Sequence, residues 1–294
     1  MAIATALAVS CSTALLALAG PARAAVSYTG YIASFVGGTL TPFDTATNGL
    51  GATIAVKHPV AVAITPDGST AWIVNHLEGT VTPVVLATGA VGNAITVGAK
   101  PDAIAITPNG AEAYVTNFAS NSVSVIDLST KTVTATITVG TAPDAIVITP
   151  DGTKAYSANS GGTITLGTIT PGTVTPIATS SNTAGPAITV GYGPHTLAVT
   201  PNGSTVWVGN LNSNTLTPID TSNDTVGPSV TVKDPSAIAI TPDGTKAYVG
   251  NWLQGTVTPV TLSTDSVGSP IPAGSGGIPL ISGVNPYQIA ITPD

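Results

Sequence analysis

A motif of four residues, Thr-Pro followed by Asp or Asn and then Gly, recurs along almost the whole chain. Of all features of the sequence, it constrains the fold most. Its prolines lie at positions 66, 108, 150, 201, 242 and 293, so consecutive copies are 42, 42, 51, 41 and 51 residues apart. A period of this length is typical of propeller blades, in which each repeat buries its apolar faces against its neighbours. The sequence therefore predicts an array of similar β units rather than a helical solenoid.

Each repeat reads as four short strands rich in Val, Ile, Thr and Tyr. In one repeat these segments are 103–107, 113–117, 122–127 and 133–139. The first of them alternates Ala with Ile, and small residues on one face suit a strand crowded against a central axis. We therefore predict that this strand is the innermost one of each blade.

The compound pattern of this repeat, at 101–110, 113–117 and 121–127, closely resembles the YVTN family of β-propeller repeats. The resemblance extends over essentially all of 25–294, although the Tyr-Val-Thr-Asn signature itself is intact only at 114–117. Members of that family are surface-layer and secreted proteins of bacteria and archaea. The resemblance thus implies a propeller that works outside the cytoplasm.

The expected fold is all-β, a single β-propeller of six four-stranded blades. The chain begins on the second strand of a unit, at Tyr31–Ser34, and ends on a first strand, at Gln288–Thr292. We predict that these N- and C-terminal strands share one blade, because closure removes the exposed edges of an open array. Seven blades are the alternative if the chain is truncated.

The first 24 residues have the features of an export signal. Residues 2–22 carry no charge, and Ala22 and Ala24 form the small-x-small pattern of a signal-peptidase site. The usual positive charge near the start is missing, and an uncleaved anchor is the alternative. The predicted organisation is a signal peptide at 1–24 and a β-propeller at 25–294, secreted or associated with the cell surface.

The composition excludes several classes of partner. Lys and Arg number 7 against 14 Asp and Glu, so the chain has no basic surface for nucleic acid. Gly, Pro, Thr or Asn interrupts every apolar run after the first twenty residues, so no membrane span is predicted once the signal is removed. We expect the mature protein to be a monomer.

Two repeats are longer than the others, and both place their extra residues on one face of the predicted propeller. The additions lie at about 161–171, between second and third strands, and at 272–286, between an outer and an inner strand. Insertions confined to one face often mark a binding face. Drift in tolerant loops is the alternative.

The same face receives the residue that follows the proline at the start of each inner strand. These residues are Val60, Asp102, Asp144, His195, Ser236 and Tyr287. We expect them to ring the mouth of a central channel, where Asp102, Asp144 and His195 could hold a polar ligand or a cation. The alternative is that Asp after Pro only caps a turn.

Trp252, which follows the strand ending at Asn251, could stack on a sugar or on a side chain of a partner. The predicted binding residues are therefore Asp102, Asp144, His195, Ser236, Tyr287 and Trp252, with no catalytic residue, no metal ligand and no cofactor.

An asparagine ends the second strand of most repeats, at positions 75, 117, 159, 210 and 251. A residue repeated in every blade serves the blade rather than a unique site. We expect these side chains to order the following loops through Asx-turn hydrogen bonds.

The sequence favours an exported, non-catalytic propeller whose loop face binds a cell-surface protein or glycan. It contains no Gly-x-Ser-x-Gly, no His-Glu-x-x-His and no phosphate-binding glycine motif, and its three histidines lack acidic neighbours at family-typical spacing. The alternative is a propeller hydrolase or lyase, lactonase-like or streptogramin-lyase-like, with a channel-mouth site around His195. Pro194-His195 resembles one element of the Pro-His pairs of streptogramin lyases, although Ser236 stands where the second His is expected.

Overall fold

The computed structural model describes residues 8–10, 29–161, 164–165 and 168–273 of the chain. In these residues every regular element is a β-strand, and the strands form six sheets of four or five strands and one separate two-stranded hairpin. The architecture is all-β and repetitive, and it fits a β-propeller. Within the same residues, no helix has the length and apolar character that crossing a membrane requires.

The two central strands of every sheet pair as an antiparallel hairpin. The second strands are Thr29–Ser34, Thr70–Asn75, Glu112–Asn117, Lys154–Asn159, Thr205–Asn210 and Lys246–Asn251. The third strands are Thr39–Asp44, Thr80–Val85, Ser122–Asp127, Thr173–Ala178, Thr215–Asp220 and Thr256–Thr261.

The inner strands of sheets two to six begin at a proline, as the repeat pattern predicts. They are Pro59–Ile64, Pro101–Ile106, Pro143–Ile148, Pro194–Val199 and Pro235–Ile240. Each is antiparallel to its second strand, and consecutive inner strands contact each other, so these five strands lie side by side. The alternation of Ala with branched residues permits this close approach.

The outer strands are mostly broken into two short pieces, and the break follows from a proline in the third strand. They are Ile54–Ala55, Ala90–Val91 with Ile95–Thr96, Thr132–Thr138, Thr183–Ala184 with Ile188–Thr189, Thr225–Val226 with Val230–Thr231, and Ser266–Val267 with Ile271–Pro272. Proline has no N–H for the outer ladder, and the chain opposite Pro83 bends so that only its carbonyl accepts, from Gly92 N at 2.8 Å. The third sheet has Val125 at this position, and its outer strand is continuous, with a register shift between Val125 and Ile126.

The inner position of the first sheet is occupied by Ala8–Ser10, which pairs in parallel with Thr29–Ser34. These three residues belong to the predicted export signal. The strand expected at this position, 288–292, lies outside the described residues, as does most of the predicted loop insertion at 272–286. The insertion at 161–171 contributes the separate hairpin, Ile164–Thr165 with Thr168–Ile169.

Apolar cores lie between consecutive sheets, because the period of two sends alternate side chains of a strand to opposite faces. Each of five cores in the described residues joins one sheet to the next. On the second strand of sheet three, Tyr114 packs toward sheet four, whereas Ala113 and Val115 pack toward sheet two. Both faces of the strand are thus buried, which leaves few positions for charge.

The Thr-Pro-Asp/Asn-Gly motif forms the turn between the first and second strands. In its first copy, Thr65 Oγ1 donates to Asp67 Oδ1, Gly68 N donates to Thr65 O at 2.8 Å, and the glycine has a φ of 70°. Such a φ is costly for residues with a Cβ. The same bonds recur at Thr107, Thr149, Thr200 and Thr241.

The asparagines that end the second strands act within the sheet, and the expected Asx turns are wrong. Asn117 Nδ2 donates to Ser122 Oγ and Ser124 Oγ on the third strand, at 3.1 and 3.0 Å. Its Oδ1 accepts from Gly98 N at 2.9 Å, on the connection that enters the inner strand. The side chain is fully buried, so it holds three segments together where water cannot compete.

Candidate functional site

The residue after each inner-strand proline lies at a β-bulge. The register between first and second strands shifts at this point in all five sheets with a proline-initiated strand. The residue before the proline has a positive φ in each case: His58, Lys100, Ala142, Gly193 and Asp234. Bulges redirect side chains, and here the bulge presents one side chain per sheet at the same end of the inner strands.

Three of the predicted site residues meet at this end, although they come from three sheets. His195 Nδ1 lies 2.5 Å from Asp144 Oδ2, and Asp144 is joined to Asp102 by a second side-chain hydrogen bond. The side chains of His195 and Asp144 are 22% and 13% exposed, so the row is shielded but open to solvent. We call these three residues the His–Asp–Asp row.

The three side chains of the row shift one another's pKa values. Burial, together with the hydrogen bond and negative charge of Asp144, raises the pKa of Asp102 to about 8. Burial opposes ionisation of Asp144 as well, but hydrogen bonds from His195 and Asp102 outweigh it and lower the pKa of Asp144. Burial also disfavours the imidazolium, yet Asp144 outweighs that effect and raises the pKa of His195. These shifts favour a protonated Asp102 and a protonated His195, each placed to donate to the Asp144 carboxylate.

Two more histidines extend the polar surface, and sequence reasoning missed their acidic partners. His76 Nδ1 lies 3.0 Å from the carbonyl oxygen of Pro101 and 3.4 Å from Asp102 Oδ1. His58 Nδ1 lies 2.7 Å from Glu78 Oε1. The ring of Phe35 contacts both imidazoles, with centroids 5.4 Å and 6.5 Å away. Each His–carboxylate pair in the described residues joins two segments at least 20 residues apart, so no short motif could reveal it.

The other predicted site residues have separate surroundings. Ser236 occupies the bulge position of the sixth sheet, but its side chain is buried and Oγ donates to Gly250 O at 3.1 Å. Trp252 is 38% exposed, and its backbone N donates to Asp234 O. Tyr287 lies outside the described residues. Among the described residues, no group of three or more His, Cys, Asp and Glu side chains has the arrangement of a metal site.

The second-to-third-strand loops lie beside the entries to the inner strands. Phe118 N donates to Lys100 O and Trp252 N to Asp234 O, and the same bond recurs in the other proline-initiated sheets. We call this end of the molecule the upper face, and the end with the Thr-Pro-Asp/Asn-Gly turns the lower face. Among the described residues, the exposed large apolar side chains in the loops of the upper face are Val36, Leu77, Phe118, Tyr192, Trp252 and Leu253.

The comparisons with known proteins support the fold. The sequence matches no protein-family model and no curated protein. The structure is similar to that of Kuenenia stuttgartiensis hydrazine synthase, with a TM-score of 0.77 and 21% identity, over 90% of this chain and 86% of that chain. It also resembles a functionally unknown protein from Desulfotomaculum acetoxidans, with a TM-score of 0.68 and 20% identity, over 82% of this chain and 81% of that one. At such identities the likeness concerns the fold alone.

Proposed function

We propose that the chain is an exported, non-catalytic β-propeller whose upper face binds a protein or glycan at the cell surface. The observation that carries this proposal is the placement of exposed aromatic rings. In the described residues, the exposed large aromatic residues are Phe118, Tyr192 and Trp252, each between 37% and 39% exposed, and all three lie on the upper face. Aromatic side chains contribute large contact area at little cost in conformational entropy and dominate many binding surfaces.

The polar centre of the upper face supports binding rather than bond cleavage. In the His–Asp–Asp row, the Asp144 carboxylate already accepts hydrogen bonds from His195 and from Asp102. A hydrogen-bonding centre surrounded by aromatic rings matches a hydroxyl-rich or amide-rich ligand. It does not favour a strongly charged one.

The test measures binding of the mature chain, 25–294, to intact cells of the source organism. We expect the double variant Phe118→Ala/Trp252→Ala to bind at least about thirtyfold more weakly, since each ring contributes at least about 1 kcal/mol to such surfaces. The matched control is Val226→Ala/Val267→Ala, which removes side chains of similar exposure from outer strands. Equal binding by both double variants would contradict the proposal.

Pretreatment of the cells distinguishes the two classes of partner. Periodate, which cleaves vicinal diols, abolishes binding if the partner is a glycan and leaves it intact if the partner is a protein. Protease gives the reverse pattern.

A second candidate function is a hydrolase or lyase centred on His195, and the row itself is what favours it. A histidine beside a carboxylate, with a neutral carboxylic acid next to it, is an arrangement used for proton transfer. The substrates to assay are lactones, for a lactonase-like activity, and streptogramins, for a lyase-like one. Turnover that disappears in both His195→Ala and Asp102→Asn would replace the binding proposal with this one.

We further propose that the propeller has six blades, belongs to the YVTN-like repeats and closes through its two ends. The repeat signature and the six sheets support this assignment. Cleavage after Ala24 removes Ala8–Ser10 from the inner position of the first sheet. We propose that residues 288–292, whose Ile-Ala-Ile pattern is that of an inner strand, take this position in the mature protein.

A further inference from the structure

The indole of Trp72 is buried with an unsatisfied hydrogen-bond donor. Its side chain is only 2% exposed, and Nε1 has no hydrogen-bond partner among the residues that the structure describes. Leaving a buried donor unpaired is costly, and most native proteins avoid it. Such a group therefore needs an explanation in terms of packing or of a ligand.

The equivalent aromatic side chains of the next two sheets show what is missing. Tyr114 Oη donates to Asn182 Oδ1 at 2.5 Å, and Tyr156 Oη donates to Asp224 Oδ1 at 2.6 Å. Both acceptors occupy the last position of the third-to-outer-strand turn of the following sheet, where φ is positive. In the turn that faces Trp72, this position is Lys131, with a φ of 58°. The position that supplies an acceptor in the next two interfaces is therefore held here by an exposed lysine, which supplies none.

A cavity of about 330 Å³ lies at this place on the lower face, between sheets two and three. Trp72, Lys131 and the hydroxyl residues Thr70 and Ser129 line it. The hydroxyl residues Thr65 and Ser69 also line it, and its apolar part includes Val85 and Val91, which are 42% and 48% exposed. The Lys131 ammonium makes no ion pair within the described residues.

The cavity lies beside the interruption in the outer strand of sheet two, opposite Pro83. Pro83 and Gly92 both line it, and they are packed so closely that a Cβ at Gly92 would lie 2.9 Å from Pro83 Cγ. The side chains that line the cavity set its chemistry.

We propose that this cavity binds a small amphipathic carboxylate, whose charged end pairs with Lys131 and Trp72 Nε1 while its apolar body covers Val85 and Val91. A carboxylate supplies the acceptor that Asn182 and Asp224 supply in the neighbouring interfaces, and it also neutralises the lysine. A neutral apolar molecule would leave the buried indole N–H without an acceptor. This proposal is independent of the upper face and of its ligand.

The test follows the three indole Nε1–H resonances of the ¹⁵N-labelled mature chain by NMR, with the Trp72 signal assigned from Trp72→Phe. We expect phenylacetate to shift the Trp72 resonance saturably and to leave those of Trp207 and Trp252 in place. Phenylacetamide, which lacks the charge, should bind about tenfold more weakly. Butyrate and hexanoate serve as probes with differently shaped apolar bodies.

Two variants of Lys131 separate binding from folding. Lys131→Met keeps the stem but removes the charge, and we expect phenylacetate to bind it about tenfold more weakly. Lys131→Asn supplies an internal acceptor at a φ that Asn tolerates well. In this variant the Trp72 resonance should be shifted before any probe is added, and phenylacetate should no longer move it.

The result that overturns the proposal is equally specific. If none of the three carboxylates moves the Trp72 resonance at about 20 mM, a concentration that detects millimolar affinity, the cavity is not a carboxylate site. The same conclusion follows if the shifts in Lys131→Met and Lys131→Asn equal those of the parent chain.

Discussion

The side chains that matter most in this protein act through contacts with residues that are distant in sequence. The His–Asp–Asp row joins side chains 42 and 51 residues apart and sets their protonation states mutually. Asn117 joins the second strand, the third strand and the connection before the inner strand. In both cases the polar groups are shielded from water, so losing one partner leaves the other without a hydrogen bond, which is costly.

The row predicts that the protein is most stable at mildly acidic pH. The raised pKa values of Asp102 and His195 favour their protonated forms in the folded state, so stability falls as pH rises from about 4 toward 8. The lowered pKa of Asp144 acts in the other direction, and stability is lost as pH falls below its ordinary value of 3.8. We expect Tm to drop by roughly 5 °C between pH 5 and pH 8.5.

Asp102→Asn tests the origin of this drop, because the amide still donates to Asp144 but does not ionise. Scanning calorimetry of this variant should show a clearly smaller difference in Tm between the two pH values. An unchanged pH profile would place the cause outside the row.

Asn117→Ala should lower the free energy of unfolding by about 3 kcal/mol, because it leaves buried polar groups of three segments without partners. Urea denaturation measures this change. The matched control is Asn223→Ala, at an exposed position where the amide oxygen caps its own turn, and its cost should stay below about 1 kcal/mol. Similar losses in the two variants would refute the bridging role.

At the level of strands, one residue decides whether the outer strand is continuous. The third sheet, with Val125, has a continuous outer strand at Thr132–Thr138, with a register shift between Val125 and Ile126. The second, fourth, fifth and sixth sheets, with proline at this position, have two short pieces, and the first sheet, also with proline, has one. In an antiparallel pair, the N–H and C=O of a residue point to the same side. Since the carbonyl of Pro83 faces the outer strand, its missing N–H faces it too.

Val125→Pro should therefore break the outer strand of the third sheet and cost about 3 kcal/mol. Hydrogen exchange should show lost protection within 132–138 and retained protection in the paired second and third strands. The reverse change, Pro176→Val in the fourth sheet, should alter stability by less than about 1 kcal/mol, because the opposing chain already bends away. Retained protection in 132–138 would contradict this explanation.

For the whole molecule, the six sheets are held together by apolar cores between neighbours and by contacts between inner strands. Such an array gains stability when its first and last sheets meet, because closure covers edges that would otherwise expose unpaired backbone. The proposed function needs this rigidity, since the rings and the polar row lie on loops and bulges of different sheets.

Closure through 288–292 predicts that the mature chain depends on its last strand. Removal of residues 287–294 from the chain that begins at Ala25 should lower Tm by roughly 10 °C and expose the first sheet to proteolysis. Removal of only the last two residues, 293–294, is the control. Equal Tm values for the two truncated chains would contradict closure by this strand.

The sequence by itself determined the repeat, the strand order within each sheet, the turn between first and second strands and the equivalence of Asp102, Asp144 and His195. These depend on local period, turn chemistry and repeat spacing, all of which are readable along the chain. Only the tertiary structure decided that these three side chains hydrogen-bond, that His76 and His58 face acids, and that Trp72 faces Lys131 across an interface. Those outcomes depend on how consecutive sheets are rotated against each other, and interactions between sheets leave no trace in the pattern of a single repeat.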